Sequence, residues 1–166
     1  LDGGGNDLQN GDIVNEETAA VTAANIVGSA KALTGRGAKF VVITNVPDLG
    51  LSPAGISFSE TASRLVGLVN SQIQQQVGSD NILIFDTFAA LQEVVATPSA
   101  YGLPLTSAEI SRSCFSLSLA TCSEGNANAK IDGNSPDPDQ FFFNDFTHPT
   151  TIGHQIIGDY VLSVLQ

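Results

Sequence analysis

Apolar residues recur at helical spacing in several stretches of the chain and run unbroken in two short ones. From Thr18 to Leu33, the positions Val21, Ala24, Val27, Ala30 and Leu33 form a stripe that predicts a helix, with Gly35 and Gly37 to stop it. Ser57 and Glu60 have the spacing of a capping box, and Ala62, Leu65, Val69, Ile73 and Val77 carry a second helix from there. Thr87 to Ala96 reads as a third, and Ile152, Ile156, Tyr160 and Val164 mark a last one after Pro149. Between these, Lys39 to Val46 and Asn81 to Asp86 are continuous runs rich in β-branched residues without polar alternation, which predicts strands covered on both faces, as in a parallel sheet. From Pro98 to Asn144 the pattern loosens into a long segment rich in Pro, Ser and Asn, within which the capping-box spacing of Thr106 and Glu109 predicts a short helix.

Strands that alternate with helices predict an α/β fold. A sheet of only two such strands leaves its edges unpaired and much of its apolar surface wet, so the expectation is an incomplete parallel sheet whose neighbouring strands lie outside this sequence. The alternative is a self-contained domain with an extra irregular strand near Leu1 or in the long segment.

A length of 166 residues with 42% hydrophobic content suits one compact domain. The formal charge of -11, with only six scattered basic residues, argues against nucleic acid as a partner, because phosphate binding needs clustered Lys and Arg. No run reaches the roughly 20 apolar residues of a membrane span, and no charged-then-apolar leader opens the sequence. Methionine is absent, even at position 1, so the chain is expected to be a trimmed piece of a longer polypeptide. Cys114 and Cys122 share one loop, for which a local disulfide in an oxidising compartment is preferred over two free thiols; zinc lacks a second Cys/His pair.

The chemistry concentrates in Asp145-Phe146-Thr147-His148, followed by Pro149. A carboxylate three positions before a histidine, in a turn leading into a helix, can accept from one ring nitrogen while the other faces solvent or substrate. Pro149 fixes the chain direction at that turn. His154, inside the predicted helix with no carboxylate at matching distance, reads as structural or exposed. In Gly3-Gly4-Gly5-Asn6-Asp7 the glycines allow close backbone approach, and the Asn amide can donate to a developing oxyanion. A calcium β-roll repeat fits this stretch poorly, since the unit occurs once. The acidic stretch Asp132 to Asp139 fails the EF-hand register and reads as a surface loop. Asp48 and Asp86, at the ends of the strands, either line a ligand crevice or serve as turn residues.

Gly4-Gly5-Asn6-Asp7 and Asp145-Phe146-Thr147-His148-Pro149 together resemble the third and fifth conserved blocks of the GDSL-type, or SGNH, esterases and lipases. Their order and separation match, and Val42 to Gly50 joins them. The Cys-containing loop before Pro136-Asp137-Pro138, then Phe142-Phe143-Asn144-Asp145, is similar to the passenger domains of bacterial autotransporter esterases. The resemblance spans nearly all of this chain but only the later part of the family's domain. It implies a flavodoxin-like α/β/α sandwich, with residues 1–166 as the C-terminal part of a single SGNH hydrolase domain. It further implies His148 as general base and acid, Asp145 as its orienting carboxylate, Asn6 in the oxyanion hole, and Gly4 and Pro47 against the substrate. An ester or lipid substrate, no metal or organic cofactor, and a secreted or outer-membrane-displayed location go with it. The family's Gly-Asp-Ser nucleophile block and its second block precede the third and are absent here. The implied partner is therefore an N-terminal segment of the same protein, on the same or a separate chain, and the isolated chain is expected to be inert. The rival is a noncatalytic ligand-binding or interaction module of the same fold; a Gly-Asp-Ser block upstream of Leu1 would favour the enzyme, and its replacement the module. A two-carboxylate glycosidase would need a second acid roughly 5 to 9.5 Å from the first.

Overall fold

The protein's structure is a computed structural model, described for residues 1–78, 81–111, 113–114 and 138–165. The chain is mixed α/β and groups into two compact units, Leu1–Gly50 with Phe58–Ala89, and Leu51–Ser57 with Ala90–Gln166.

The first unit opens with a short helix α1 (Gly5–Gln9) and continues with α2 (Glu16–Gly35), strand β1 (Val41–Thr44), α3 (Ser59–Val77) and strand β2 (Ile82–Phe85). β1 and β2 pair in parallel, in register from Val41 with Ile82 to Thr44 with Phe85, and α3 is the crossover that a parallel pair requires. α2 starts two residues before the expected Thr18 because Asn15 caps it. The Asn15 side chain accepts from Thr18 N at 3.0 Å, while Thr18 Oγ1 accepts from Asn15 N at 3.2 Å, a reciprocal cap built from Asn and Thr. At the other end Ala38 N donates to Leu33 O and Gly37 N to Thr34 O, which satisfies the last carbonyls past Gly35.

The expected stripe on α2 is corrected by the structure. Val21 and Leu33 are exposed, and the buried face is Ala19, Thr22, Ala23, Val27 and Ala30. An alanine-rich helix is apolar nearly all round, and its small residues are the ones that let α2 lie close against α3. On α3 every expected position, Ala62, Leu65, Val69, Ile73 and Val77, is buried. The Ser57 capping box is not formed: a 3-10 turn at Ile56–Phe58 takes up Ser57, and Phe58 stands at the helix start without a side-chain cap.

Val41, Ile43 and Ile82 join α2 and α3 in one core on one face of the sheet. The opposite face is less covered: Phe85 is buried there, but Val42 and Thr44 are half-buried and Leu83 is 48% exposed, so the expectation of strands buried on both faces holds only in part for this face. On the edge of β1 opposite β2, the Leu1 amino group donates to Val42 O at 2.6 Å and Thr44 N donates to Leu1 O at 2.9 Å. Both bonds follow the slanted pattern of a parallel ladder.

The second unit contains most of α4 (Thr87–Ala96), 3-10 turns at Pro98–Tyr101 and Pro138–Gln140, and α5 (Thr151–Leu165). Its core gathers Leu91, Val94, Leu103, Leu105, Ile110, Cys114, Ile156 and three consecutive phenylalanines, Phe141, Phe142 and Phe143. Thr106 to Ile110 forms a single hydrogen-bonded turn in place of the expected short helix. Glu109 Oε2 accepts from Thr106 N at 3.0 Å, and one Ile110 N to Thr106 O bond closes the turn. Among the described residues, no helix is long and apolar enough to cross a membrane.

Candidate active site

Phe143 and Pro149 form an antiparallel bridge, and Asn144 N donates to His148 O at 2.8 Å, so residues 144–148 are a tight loop closed at its base. Inside it, one oxygen of Asp145 organises the backbone: Oδ1 accepts from Thr147 N at 2.8 Å and from His148 N at 2.7 Å. The other oxygen is left for the ring, with Oδ2 2.8 Å from His148 Nδ1. The two oxygens thus divide their work, one fixing the loop and one the imidazole.

Burial raises the Asp145 pKa, but the backbone N–H groups of His148 and Thr147, and then the His148 ring, more than offset it and hold the carboxyl below its ordinary 3.8. An ionised carboxylate only accepts, so Nδ1 carries the proton, and whenever the ring is neutral Nε2 presents a lone pair. The His148 side chain is 76% exposed against 17% for Asp145, and among the described residues Nε2 has no hydrogen-bond partner. One ring nitrogen is thus oriented by the carboxylate, and the other is open among the described residues.

A carboxyl whose pKa is depressed on folding adds stability in full above its unfolded value and loses it as pH falls through the folded one. The melting temperature of the chain should therefore exceed that of Asp145→Asn by a constant margin above about pH 5, and the margin should shrink below about pH 4. A margin unchanged down to about pH 2 would contradict this assignment.

The loop is held from below by packing. Burying three phenylalanines matters more than the Asp145–His148 contact: truncating one such ring costs about 3–5 kcal/mol, whereas a contact with an exposed member contributes about 0–1 kcal/mol. Thr150, buried and overlooked in the sequence, caps α5 by accepting from Gly153 N at 3.1 Å and donates from Oγ1 to Phe141 O at 2.6 Å. Gly153 sits so close to the loop base that a Cβ there would lie 2.6 Å from Phe142 O and 2.9 Å from the Pro149 Cβ. Ala54 N donates to Phe146 O at 2.9 Å, which ties the Leu51–Ser57 segment to the same loop.

In the first unit, Gly4 precedes α1 with φ 94°, and a Cβ on it would meet Val46 Cγ2 at 2.7 Å, so both conformation and space demand glycine. Asn6 lies one residue into α1, exposed, and among the described residues its side-chain amide has no hydrogen-bond partner. Pro47 is half-buried directly after Val46, whose N–H and carbonyl are both held by the Asn70 side chain at 2.9 and 2.8 Å. Asn70 escaped the sequence reading because a polar residue mid-helix carries no pattern signal.

Asp48 is buried, its Oδ1 accepting from Gly50 N at 3.2 Å and from Ser63 Oγ, and Asp86 accepts from Ala89 N at 3.0 Å and Asn45 Nδ2 at 2.8 Å. Both act as turn residues at the strand ends. His154 places Nδ1 2.9 Å from Thr150 O in α5. Asp145 and His148 share one unit and are in contact; Gly4, Asn6 and Pro47 belong to the other. Cys114 is fully buried, while Cys122 and the stretch from Asp132 to Asp137 lie outside the described residues. Among the described residues no group of three or more His, Cys, Asp or Glu is placed to hold a metal ion.

No protein-family model matches the chain. Over 169 residues, 99% of the chain, it is 36% identical to a protein named Esterase EstA from Pseudomonas aeruginosa and to one of the same name from Pseudomonas putida, covering 26% of each. It is also 34% identical over 174 residues to an uncharacterized protein of the trpE-trpG intergenic region of Pseudomonas putida, covering 99% of the chain and 28% of that protein. The chain thus spans about a quarter of the length of the curated relatives it matches.

Proposed function

We propose that this chain is the C-terminal part of a serine carboxylic-ester hydrolase of the GDSL, or SGNH, type, with a flavodoxin-like α/β/α sandwich completed by an N-terminal segment of the parent protein. The observation that carries the reading is the Asp145–His148 pair, with Nδ1 bound at 2.8 Å and Nε2 open among the described residues. The similarity to two proteins named as esterases supports the reaction. The bonds from Leu1 to Val42 and Thr44, on the free edge of β1, support a further parallel strand leading into the Gly4–Asn6 turn.

In this mechanism a serine hydroxyl from the parent attacks the ester carbonyl as His148 Nε2 takes its proton. The carbonyl oxygen becomes an oxyanion, to which the Asn6 amide donates, and Asp145 stabilises the imidazolium. Collapse breaks the ester C–O bond, and Nε2 returns the proton to the departing alcohol. Water then attacks the acyl-enzyme by the same path, with His148 as base, to release the carboxylic acid and restore the serine. Gly4 and Pro47 stand against the substrate, and no metal or organic cofactor enters. A secreted or outer-membrane-displayed passenger, with Cys114 and Cys122 joined in a local disulfide, fits an oxidising compartment.

The test uses p-nitrophenyl esters. The isolated chain should show no turnover above background, and the parent protein should be active. Asn6→Ala in the parent should lower kcat by roughly 10²- to 10³-fold with little change in KM, the cost of one oxyanion donor. Robust turnover by the isolated chain, or full activity in the Asn6 variant, would overturn the respective assignments.

A further inference from the structure

The second unit carries a feature that ester hydrolysis does not use. An open groove of about 550 Å³ is lined by Glu93 of α4, Tyr101 of the Pro98–Tyr101 turn, and Ile156, Asp159, Tyr160 and Ser163 of α5. That volume lies in the range of small-molecule sites. Both tyrosines of the chain face this groove, and Ile156, which is buried, gives it an apolar floor. Two carboxylates flank the rings, and among the described residues the lining contains no basic side chain. The Tyr101 hydroxyl donates to Glu93, which fixes one ring beside one charge.

Charge and chemistry together select the ligand. An anion meets Glu93 and Asp159 on a chain of formal charge -11, and a neutral solute gains only the apolar floor. A hard divalent cation wants six or more oxygens, which two carboxylates from separate elements do not supply. An organic ammonium ion uses every part: its charge faces the carboxylates, its carbon-bound hydrogens face the tyrosine rings, and its apolar surface covers Ile156. We propose that this groove binds a small organic ammonium ion of the quaternary or alkylammonium class, held between Tyr101 and Tyr160 and neutralised by Glu93 and Asp159. The proposal is independent of the esterase reading, since none of these residues belongs to the hydrolytic machinery.

The chain has two tyrosines and no tryptophan, so its intrinsic emission reports this groove alone. Choline titrated into residues 1–166 at constant ionic strength should change the tyrosine emission saturably. The neutral isostere 3,3-dimethyl-1-butanol should bind about tenfold more weakly or worse. Asp159→Asn combined with Glu93→Gln should weaken choline binding by about tenfold or more. Asp159 is exposed, so Asp159→Asn alone, with an unchanged circular dichroism spectrum and melting temperature, keeps the test valid if the double variant misfolds. It should weaken choline binding and leave the isostere unaffected. A response matched by the isostere, undiminished binding in the folded variants, or no saturation by about 50 mM choline would each overturn the proposal.

Discussion

Replacing His148 by alanine in the intact parent enzyme is expected to lower kcat for ester hydrolysis by about 10⁴-fold or more. The proposed reaction moves a proton onto and off Nε2 in both halves of the cycle. His154, the only other histidine, lies in α5 with Nδ1 against Thr150 O. The loss should appear in kcat with KM nearly constant, because the ring acts on the serine proton and contributes little to ground-state binding. The His148 side chain is 76% exposed, so its removal should leave the melting temperature within a few degrees of the parent's. Near-normal turnover in this variant would remove the base assignment.

Asp145→Asn should cost about 10³- to 10⁴-fold in kcat, and the loop geometry explains why so small a change is so damaging. Thr147 N and His148 N both donate to Oδ1, so the Asn carbonyl oxygen is drawn to that position and the amide NH2 takes the place of Oδ2. The amide then donates to Nδ1, which forces the ring proton onto Nε2, the nitrogen that has to accept from serine. Asp145→Ala removes the loop acceptor as well, and should lower both activity and melting temperature. Asn and Ala variants with equal melting temperatures and near-parental rates would show that Asp145 neither orients the ring nor holds the loop.

The helices that bury an apolar face and turn a polar one outward were the legible ones. α3 has large apolar residues at regular spacing among Ser, Gln and Asn, so its buried face stands out, and Thr87–Ala96 is bounded by a strand end and a Thr-Pro break. α2 offered alanines in nearly every direction, and which of them pack was decided by α3 rather than by periodicity. Ser57 and Glu60 had the right spacing for a cap, yet a local 3-10 turn displaced the helix start, because capping depends on the backbone path before the helix as much as on residue type. The second core was hidden for another reason: Leu103, Leu105, Ile110 and Phe141 to Phe143 sit in irregular chain, where burial has no period to betray it.

The site shows the same division. The contact between Asp145 and His148 was legible since three residues and a turn bring a carboxylate to its own downstream ring. Thr150 carried a readable signal, a threonine just before an apolar-periodic run. Gly153 did not, because its need to be glycine arises from how closely α5 approaches Phe142 and Pro149. Asn70 and Asn45 hold strand ends through side chains distant in sequence, and such pairings follow only from the fold.

Labelling with a fluorophosphonate tests the central claim most directly, since it modifies only a serine that an adjacent base has activated. The parent protein, labelled, digested and mapped by mass spectrometry, should carry the phosphonate on one serine outside residues 1–166, and His148→Ala should abolish the label. The same reagent should leave the isolated chain unmodified. A phosphonate on any serine within residues 1–166, or labelling that survives the loss of His148, would contradict the account.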